Sequence, residues 1–399
     1  MLAVWAVARA WSAVVLLVVA REQVEVLWVP QDPSYVQYTG LMWDADWYRG
    51  IATEGYPDSL PTGPDGRVLQ NPWAFYPLYP LLTRGVMALT GASWALAAPT
   101  LALVLGAGAA LCVHAVVRRG APRAVAAVPG LPLATVALVG CFPAGPVLQV
   151  AYTESLALLL VAGSLLLLLQ RRYGWAAVTV VALGFTRAVA LPMAVVVLVH
   201  AAVRLRAARH AARHATRDGG RGPDRLGPRD GAGLLALLAA AVVSGVAWPL
   251  ICGWATGVPD GYLRTQAAWR GRPEVVPMVP WLDVARWLWG PAGPWLLVPA
   301  GALVVAVLLS PPARRLGAEL QAWTAAYLAY LVGVVEPGTS LVRFSLLAFP
   351  LGAVAAGAVR GPAWARRLWL GALLVAGAAL QLAWTWGLWR LTPPSGWPP

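Results

Sequence analysis

The stretch LMWDADWYRGIATEGYP (41–57) sets three carboxylates, Asp44, Asp46 and Glu54, among four aromatic rings, more than a polar linker would carry. Wound as a helix, it brings Trp43, Trp47 and Ile51 to four-residue spacing. They form an apolar stripe able to lie in a membrane interface, with Asp44 and Tyr48 in a stripe beside it. Asp46 follows Asp44 by two positions and so points roughly 200° away around the helix. Acids so placed do not flank one bond, which disfavours a double displacement through a covalent intermediate. One carboxylate acting as general base remains, and a single base implies a direct, inverting displacement. Asp44 and Asp46 are also oxygen donors for a divalent cation, although an all-protein site wants more ligands than two; no other cofactor is expected.

Further candidates lie far along the chain. Glu154 in AYTESL and Arg187 in FTRAVA sit at the mouths of apolar runs, where an ionisable group needs a partner. Each reads either as a structural ion pair or cap, or as part of a site. Arg343, in PGTSLVRFSLLAFP, and the segment holding Tyr262, Gln266, Trp269, Arg270 and Arg272 supply the rest. Arginine is permanently charged and donates in pairs, so it suits a phosphate as well as a headgroup anchor. Cys112, Cys141 and Cys252 show no metal spacing and read as packing residues. His210 and His214 read as a solvated loop face.

These residues must be positioned by a chain of 399 residues that is 59% hydrophobic and 12% charged, with a mean hydropathy of +0.65. A soluble enzyme, a secreted module and a disordered chain are excluded. The expected fold is an all-α polytopic membrane protein forming a single domain over 1–399. About eleven spans are drawn at 2–20, 93–117, 124–141, 153–170, 174–185, 188–203, 232–252, 295–310, 318–335, 341–359 and 368–389. The first reads as a retained span rather than a cleaved signal.

All 30 basic residues are arginine, as in a GC-rich genome, and the net charge is +13. Their concentration in short loops follows the positive-inside rule and needs no nucleic acid. A cytoplasmic N-terminus leaves 204–231 as a flexible basic cytoplasmic loop and puts 21–92 and 254–290 outside, in a plasma-membrane protein. The segment 73–90, broken by Pro77, Pro80 and Arg84, reads as re-entrant or interfacial.

The runs WDADWYRGIATEGY (43–56), NPWAFYPLYPLLTR (71–84), FPAGPVLQVAYTESL (142–156), GFTRAVALP (184–192), YLRTQAAW and LVRFSLLAFPL occur in that order. Together they resemble the PIG-V family, the second mannosyltransferases of GPI-anchor assembly, with their bacterial relatives. The resemblance implies a GT-C glycosyltransferase fold with a long first outer loop bearing amphipathic helices. It also implies a mannose donor carried on a polyprenyl phosphate and a membrane-associated acceptor. Trp43 and Asp44 match the family's Trp-Asp motif, which makes Asp44 the base. Trp43, Trp47 and Tyr48 would then form the substrate floor, Asp46 would also contact substrate, and Tyr76 and Tyr79 would sit near the floor if 71–84 folds back. Gln266 would contact substrate, Glu154 would support the site, and Arg343 or Arg187 would neutralise the leaving phosphate. The acceptor is left open. No phosphate-cradling glycine loop suggests a nucleotide. The alternative class is a transporter or lipid-linked sugar flippase, which needs polar groups near the midplane rather than at one face.

Overall fold

The computed structural model describes residues 1–218, 227–272, 276–394 and 399. Among them the chain is helical throughout, with only isolated bridges at Val26–Val29 and Thr62–Val68. Six helices are long and apolar enough to cross a membrane: Leu2–Ala20, Trp94–Gly120, Leu191–His210, Pro228–Thr256, Val279–Arg314 and Ala363–Trp389. Their outer faces stay bare. Trp295, Val298, Leu250 and Val375 are each well over half exposed, as expected where lipid tails rather than water surround the chain.

Among the other expected spans, Glu154–Leu169 and Ala318–Val334 are slightly shorter than drawn, at 16 and 17 residues, and Tyr173–Gly184 keeps the length drawn, 12 residues. The run 124–141 divides at Gly130 into Pro122–Ala127 and Leu131–Gly140. The run 341–359 breaks into Leu341–Phe344, a 3₁₀ turn at Ser345–Leu347 and Pro350–Ala356. Proline and glycine are the cause, because neither continues a helix cheaply. The first part of 73–90 is a 3₁₀ turn, and the rest is the helix Leu78–Thr90. Its 13 residues reach about 20 Å, short of a hydrocarbon core of about 30 Å.

The basic segment 204–231 is not simply a loop. The helix Leu191–Asp218 runs deep into it and the next begins at Pro228; residues 219–226 lie outside the described residues. Alanine and arginine are strong helix formers, and their repetition here outweighs their polarity. The side chain of His214 and residues 273–275 of the 254–290 segment also lie outside the described residues.

Close approach of small residues sets the helix packing. A Cβ on Gly184 would come within 2.7 Å of the Ser244 carbonyl oxygen, so only glycine lets Tyr173–Gly184 lie against Pro228–Thr256. At Gly40 a Cβ would meet the Ala95 backbone at 2.6 Å. There the short helix Tyr35–Gly40 docks on Trp94–Gly120, and Trp94 Nε1–H donates to the Gly40 carbonyl at 2.9 Å.

A buried arginine closes the break after Leu131–Gly140. That helix ends and a 3₁₀ turn, Gly145–Gln149, begins, leaving carbonyls without intrahelical donors. Arg9, from the first helix and 6% exposed, donates to the Gly145 carbonyl at 2.5 Å and to the Gly140 carbonyl at 2.6 Å. Gln381 Nε2 adds bonds to the Gly140 and Phe142 carbonyls, while Ser12 Oγ–H donates to Gln381 Oε1. First, middle and last helices are thereby tied at one polar knot in apolar surroundings. Arg9→Leu strips Gly145 of this donor and is expected to cost about 1–3 kcal/mol, read as a lower unfolding midpoint in detergent; an unchanged midpoint would show that the knot carries no stability.

Candidate active site

Asp44 is the first residue of the helix Asp44–Thr53. The chain enters it through Trp43, whose φ of +59° and ψ of −125° are unusual for a residue with a bulky side chain. Such a conformation costs about 1–3 kcal/mol and persists only where the surroundings impose it. Here Trp43 Nε1–H donates to the Trp389 carbonyl at 2.6 Å, the Trp28 ring packs at 5.4 Å, and the Asp44 N–H donates to the Tyr152 hydroxyl at 3.1 Å.

The stripe Trp43, Trp47 and Ile51 does not face a bilayer interface. Trp43 and Ile51 are buried, and Trp47 stacks on Phe75 at 5.7 Å with Trp269 edge-on at 5.3 Å. The chain's own rings compete successfully for that apolar face.

Side chains from three distant segments, around 153–154, 187 and 343, converge beside Asp44. Arg343 Nη2–H donates to Asp44 Oδ2 at 2.7 Å, and Arg343 Nη1–H donates to Glu154 Oε1 at 2.8 Å. Arg187 Nη1–H reaches the same Glu154 oxygen at 2.6 Å and Thr153 Oγ1 at 3.3 Å. Tyr48 closes the circle, its hydroxyl 3.5 Å from Thr153 Oγ1. Both guanidinium groups lie over the Phe344 ring, at 4.5 and 4.8 Å, and Arg343 also lies over Tyr152 at 5.0 Å.

Two guanidinium groups face two acidic side chains. The Asp44 side chain keeps 13% exposure while that of Glu154 keeps none. Burial pushes the Asp44 carboxyl above the ordinary aspartate value; Arg343 opposes the shift and nearby Glu154 adds to it. The Asp44 oxygen not held by Arg343 accepts no hydrogen bond among the described residues and is not fully buried.

The remaining candidates are dispersed. Asp46 turns outward and pairs with exposed Arg49 at 2.6 Å. It joins neither the substrate floor nor Asp44, and the two acids do not converge on a common cation position. Tyr79 is wholly buried beneath Tyr48, its hydroxyl spent on the Ala98 carbonyl at 2.7 Å, so it supports the floor from behind. Tyr76 belongs to a separate aromatic cluster with Trp73 and Trp248. Its hydroxyl lies 3.2 Å from that of Tyr262, which in turn neighbours Gln266. Among the described residues no cluster of three or more His, Cys, Asp or Glu side chains is placed to hold a metal.

Tyr152, Thr153 and Ser340 also belong to the site, although sequence reasoning does not single them out. The first two lie in the YTES tetrapeptide and could have been found there. Ser340, which accepts from Arg343 Nη2–H at 3.4 Å, carries no sequence signal.

Trp43 also forms part of the wall of a mostly apolar groove of about 910 Å³, together with Trp281, Trp287, Leu341, Trp386 and Arg390. Asp44 and Arg343 do not line the groove themselves; their chain neighbours Trp43 and Leu341 do. A second polar network joins the helices Tyr173–Gly184, Leu191–Asp218, Pro228–Thr256 and Ala318–Val334. Arg204 donates to Tyr173 and Asp230 at 2.7 and 2.9 Å, and His200 Nδ1 lies 2.8 Å from Glu319.

No family model matches the chain, and no curated protein matches it. Among solved structures it is similar to the Archaeoglobus fulgidus oligosaccharyltransferase tethered to an acceptor peptide, at 14% identity and a TM-score of 0.46. The alignment covers 96% of this chain and 55% of that one, so the chain spans little more than half of that protein's length. An overlap at this level assigns neither an activity nor a substrate.

The buried ion chain has a measurable consequence. Arg343→Met leaves Asp44 uncompensated and is expected to cost about 3–5 kcal/mol; adding Asp44→Asn should restore part of the loss. Unfolding midpoints of both variants in detergent test this, and an Arg343→Met protein as stable as the parent would contradict it.

Proposed function

We propose that this chain is an integral-membrane glycosyltransferase of the GT-C type that moves mannose from polyprenyl-phosphate mannose to an acceptor hydroxyl on the extracytoplasmic face. The observation that carries the reading is the setting of Asp44. It is a mostly buried carboxylate fixed through one oxygen by Arg343, with its other oxygen left to accept, beside an apolar groove suited to a lipid. The family resemblance of the Trp43–Asp44 pair and of the YTES segment supplies the donor class.

In this scheme the acceptor O–H donates to the free oxygen of Asp44, which takes the proton as the hydroxyl oxygen bonds to the anomeric carbon. The bond from that carbon to the phosphate oxygen breaks, and the lipid phosphate leaves with the electron pair. Attack opposite the departing group inverts the anomeric centre. Asp44 as sole base agrees with the geometry, because Glu154 Oε1 is shared by two arginines and the side chain has no exposure. A base lifted above the ordinary aspartate value by burial accepts a proton more readily, while Arg343 limits the lift and fixes the direction of the lone pair.

Reconstituted protein supplied with polyprenyl-phosphate mannose and membrane lipids tests the proposal. Asp44→Asn is expected to lower transfer by about 10²–10⁴-fold, and equal transfer by both proteins would remove Asp44 from the reaction. Only the ionised carboxylate acts as base. The acid limb of the parent's pH profile should therefore lie above the ordinary aspartate value, with activity rising as pH rises through it. The residual rate of Asp44→Asn should lack that limb.

A further inference from the structure

The transfer step needs a cation where the lipid phosphate departs, and both arginines next to Asp44 are already engaged. Arg343 gives Nη2 to Asp44, Nη1 to Glu154 and Nε to the Pro399 carbonyl at 2.6 Å. Arg187 gives Nη1 to Glu154 and Thr153. An anion on Arg343 would have to compete with carboxylates at both Nη atoms, and one on Arg187 would share a guanidinium already paired with buried Glu154.

Arg390 is placed differently. It lies on the groove wall, forms no ion pair among the described residues, and its Nε–H is buried without an acceptor. Its guanidinium is held over the Trp386 ring at 4.0 Å, and Trp386 lines the same groove. The acid in the groove wall, Asp283, is 3.4 Å from Arg286. The Trp389 Nε1–H and the Tyr38 hydroxyl, which do not line the groove, are also buried without partners among the described residues, in rings 6.5 Å apart. Arginine is a donor only, so what Arg390 is missing is an acceptor.

The backbone fixes Arg390 relative to Asp44. A π-helical turn, Thr385–Trp389, ends the last long helix, and the Arg390 N–H closes it on the Thr385 carbonyl at 2.9 Å. Such turns recur at functional sites. The Trp389 carbonyl accepts from Trp43 at 2.6 Å. Asp44 and Arg390 are therefore the residues immediately following the two partners of a single hydrogen bond.

We propose that the groove binds a single-chain polyprenyl phosphate, with its tail along Trp281, Trp287 and Trp386 and its phosphate on Arg390. Arg343 and Arg187 then orient the carboxylates rather than hold the leaving group. The inference rests on the transferase reading for its choice of lipid, and it is testable by binding alone. Cavities of this size are typical of ligand sites. An apolar wall ending in one uncompensated guanidinium complements a lipid with one anionic end.

The experiment uses the full chain in nanodiscs of zwitterionic lipid. Tryptophan quenching is followed on titration with farnesyl phosphate, farnesol, phosphatidic acid or inorganic phosphate. The parent should prefer farnesyl phosphate to farnesol. Arg390→Ala and Arg390→Gln should each weaken farnesyl phosphate by about 10- to 100-fold while leaving farnesol unchanged, and Arg390→Lys should retain much of the preference. Arg390→Gln keeps a polar side chain of similar reach, so the comparison survives if the alanine variant does not fold. Parent-like farnesyl phosphate binding by Arg390→Gln would overturn the proposal. So would equal binding of phosphatidic acid or inorganic phosphate by the parent, which would mark a general anion site. Absence of mannose transfer with the Arg390 effect intact would count against the transferase reading alone.

Discussion

Arg343 holds a full positive charge in a side chain that is 8% exposed, and the arrangement around it depends on that charge being shared between two carboxylates. Neither Asp44 nor Glu154 could remain ionised at such burial alone, and Arg343 could not remain there without them. The bridge joins residues 299 positions apart in the chain, so the segment before Trp94–Gly120 and the last third of the molecule are assembled around one guanidinium. Arg187 extends the chain to a third segment, and the Phe344 ring faces both cations. A buried ion chain of this kind adds little stability, but it fixes direction: Asp44 is left with one oxygen to use.

A second tie runs from Trp43 to Trp389. Through it the strained backbone at the start of Asp44–Thr53 is held against the π turn that ends the last long helix. The apolar groove opens beside this tie, with a carboxylate and a guanidinium each one residue from it. Lipid, phosphate and acceptor chemistry are thus proposed to meet beside the Trp43–Trp389 tie, while a separate ionic network involving His200 and Arg204 joins other helices.

Part of this was legible in the residues. The angular separation of Asp44 from Asp46 follows from helix geometry, and the structure places the first on Arg343 and the second on surface Arg49. The need of Glu154 for a partner follows from the energetics of burying charge. The identity of that partner does not, because 33 and 189 residues of chain separate Glu154 from its two arginines. The amphipathic stripe of Trp43, Trp47 and Ile51 was visible, yet what covers it was not. Phe75 and Trp269 reach it only after folding.

The sequence by itself determined that the chain is helical and rich enough in long apolar runs to cross a membrane, since hydropathy and periodicity are local properties. It also singled out Asp44, because the contrast of one carboxylate with surrounding indoles is local too. Tertiary structure decided how far each apolar run stays helical, since the effect of a proline or glycine depends on what packs beside it. It separated Tyr76 and Gln266 from the site, placed Tyr79 behind it, and drew Arg9 into the break after Leu131–Gly140. It alone brought Arg343 to Asp44 and left Arg390 without a counter-charge among the described residues, because the partner of a buried ion is settled by long-range packing that no short stretch of residues encodes.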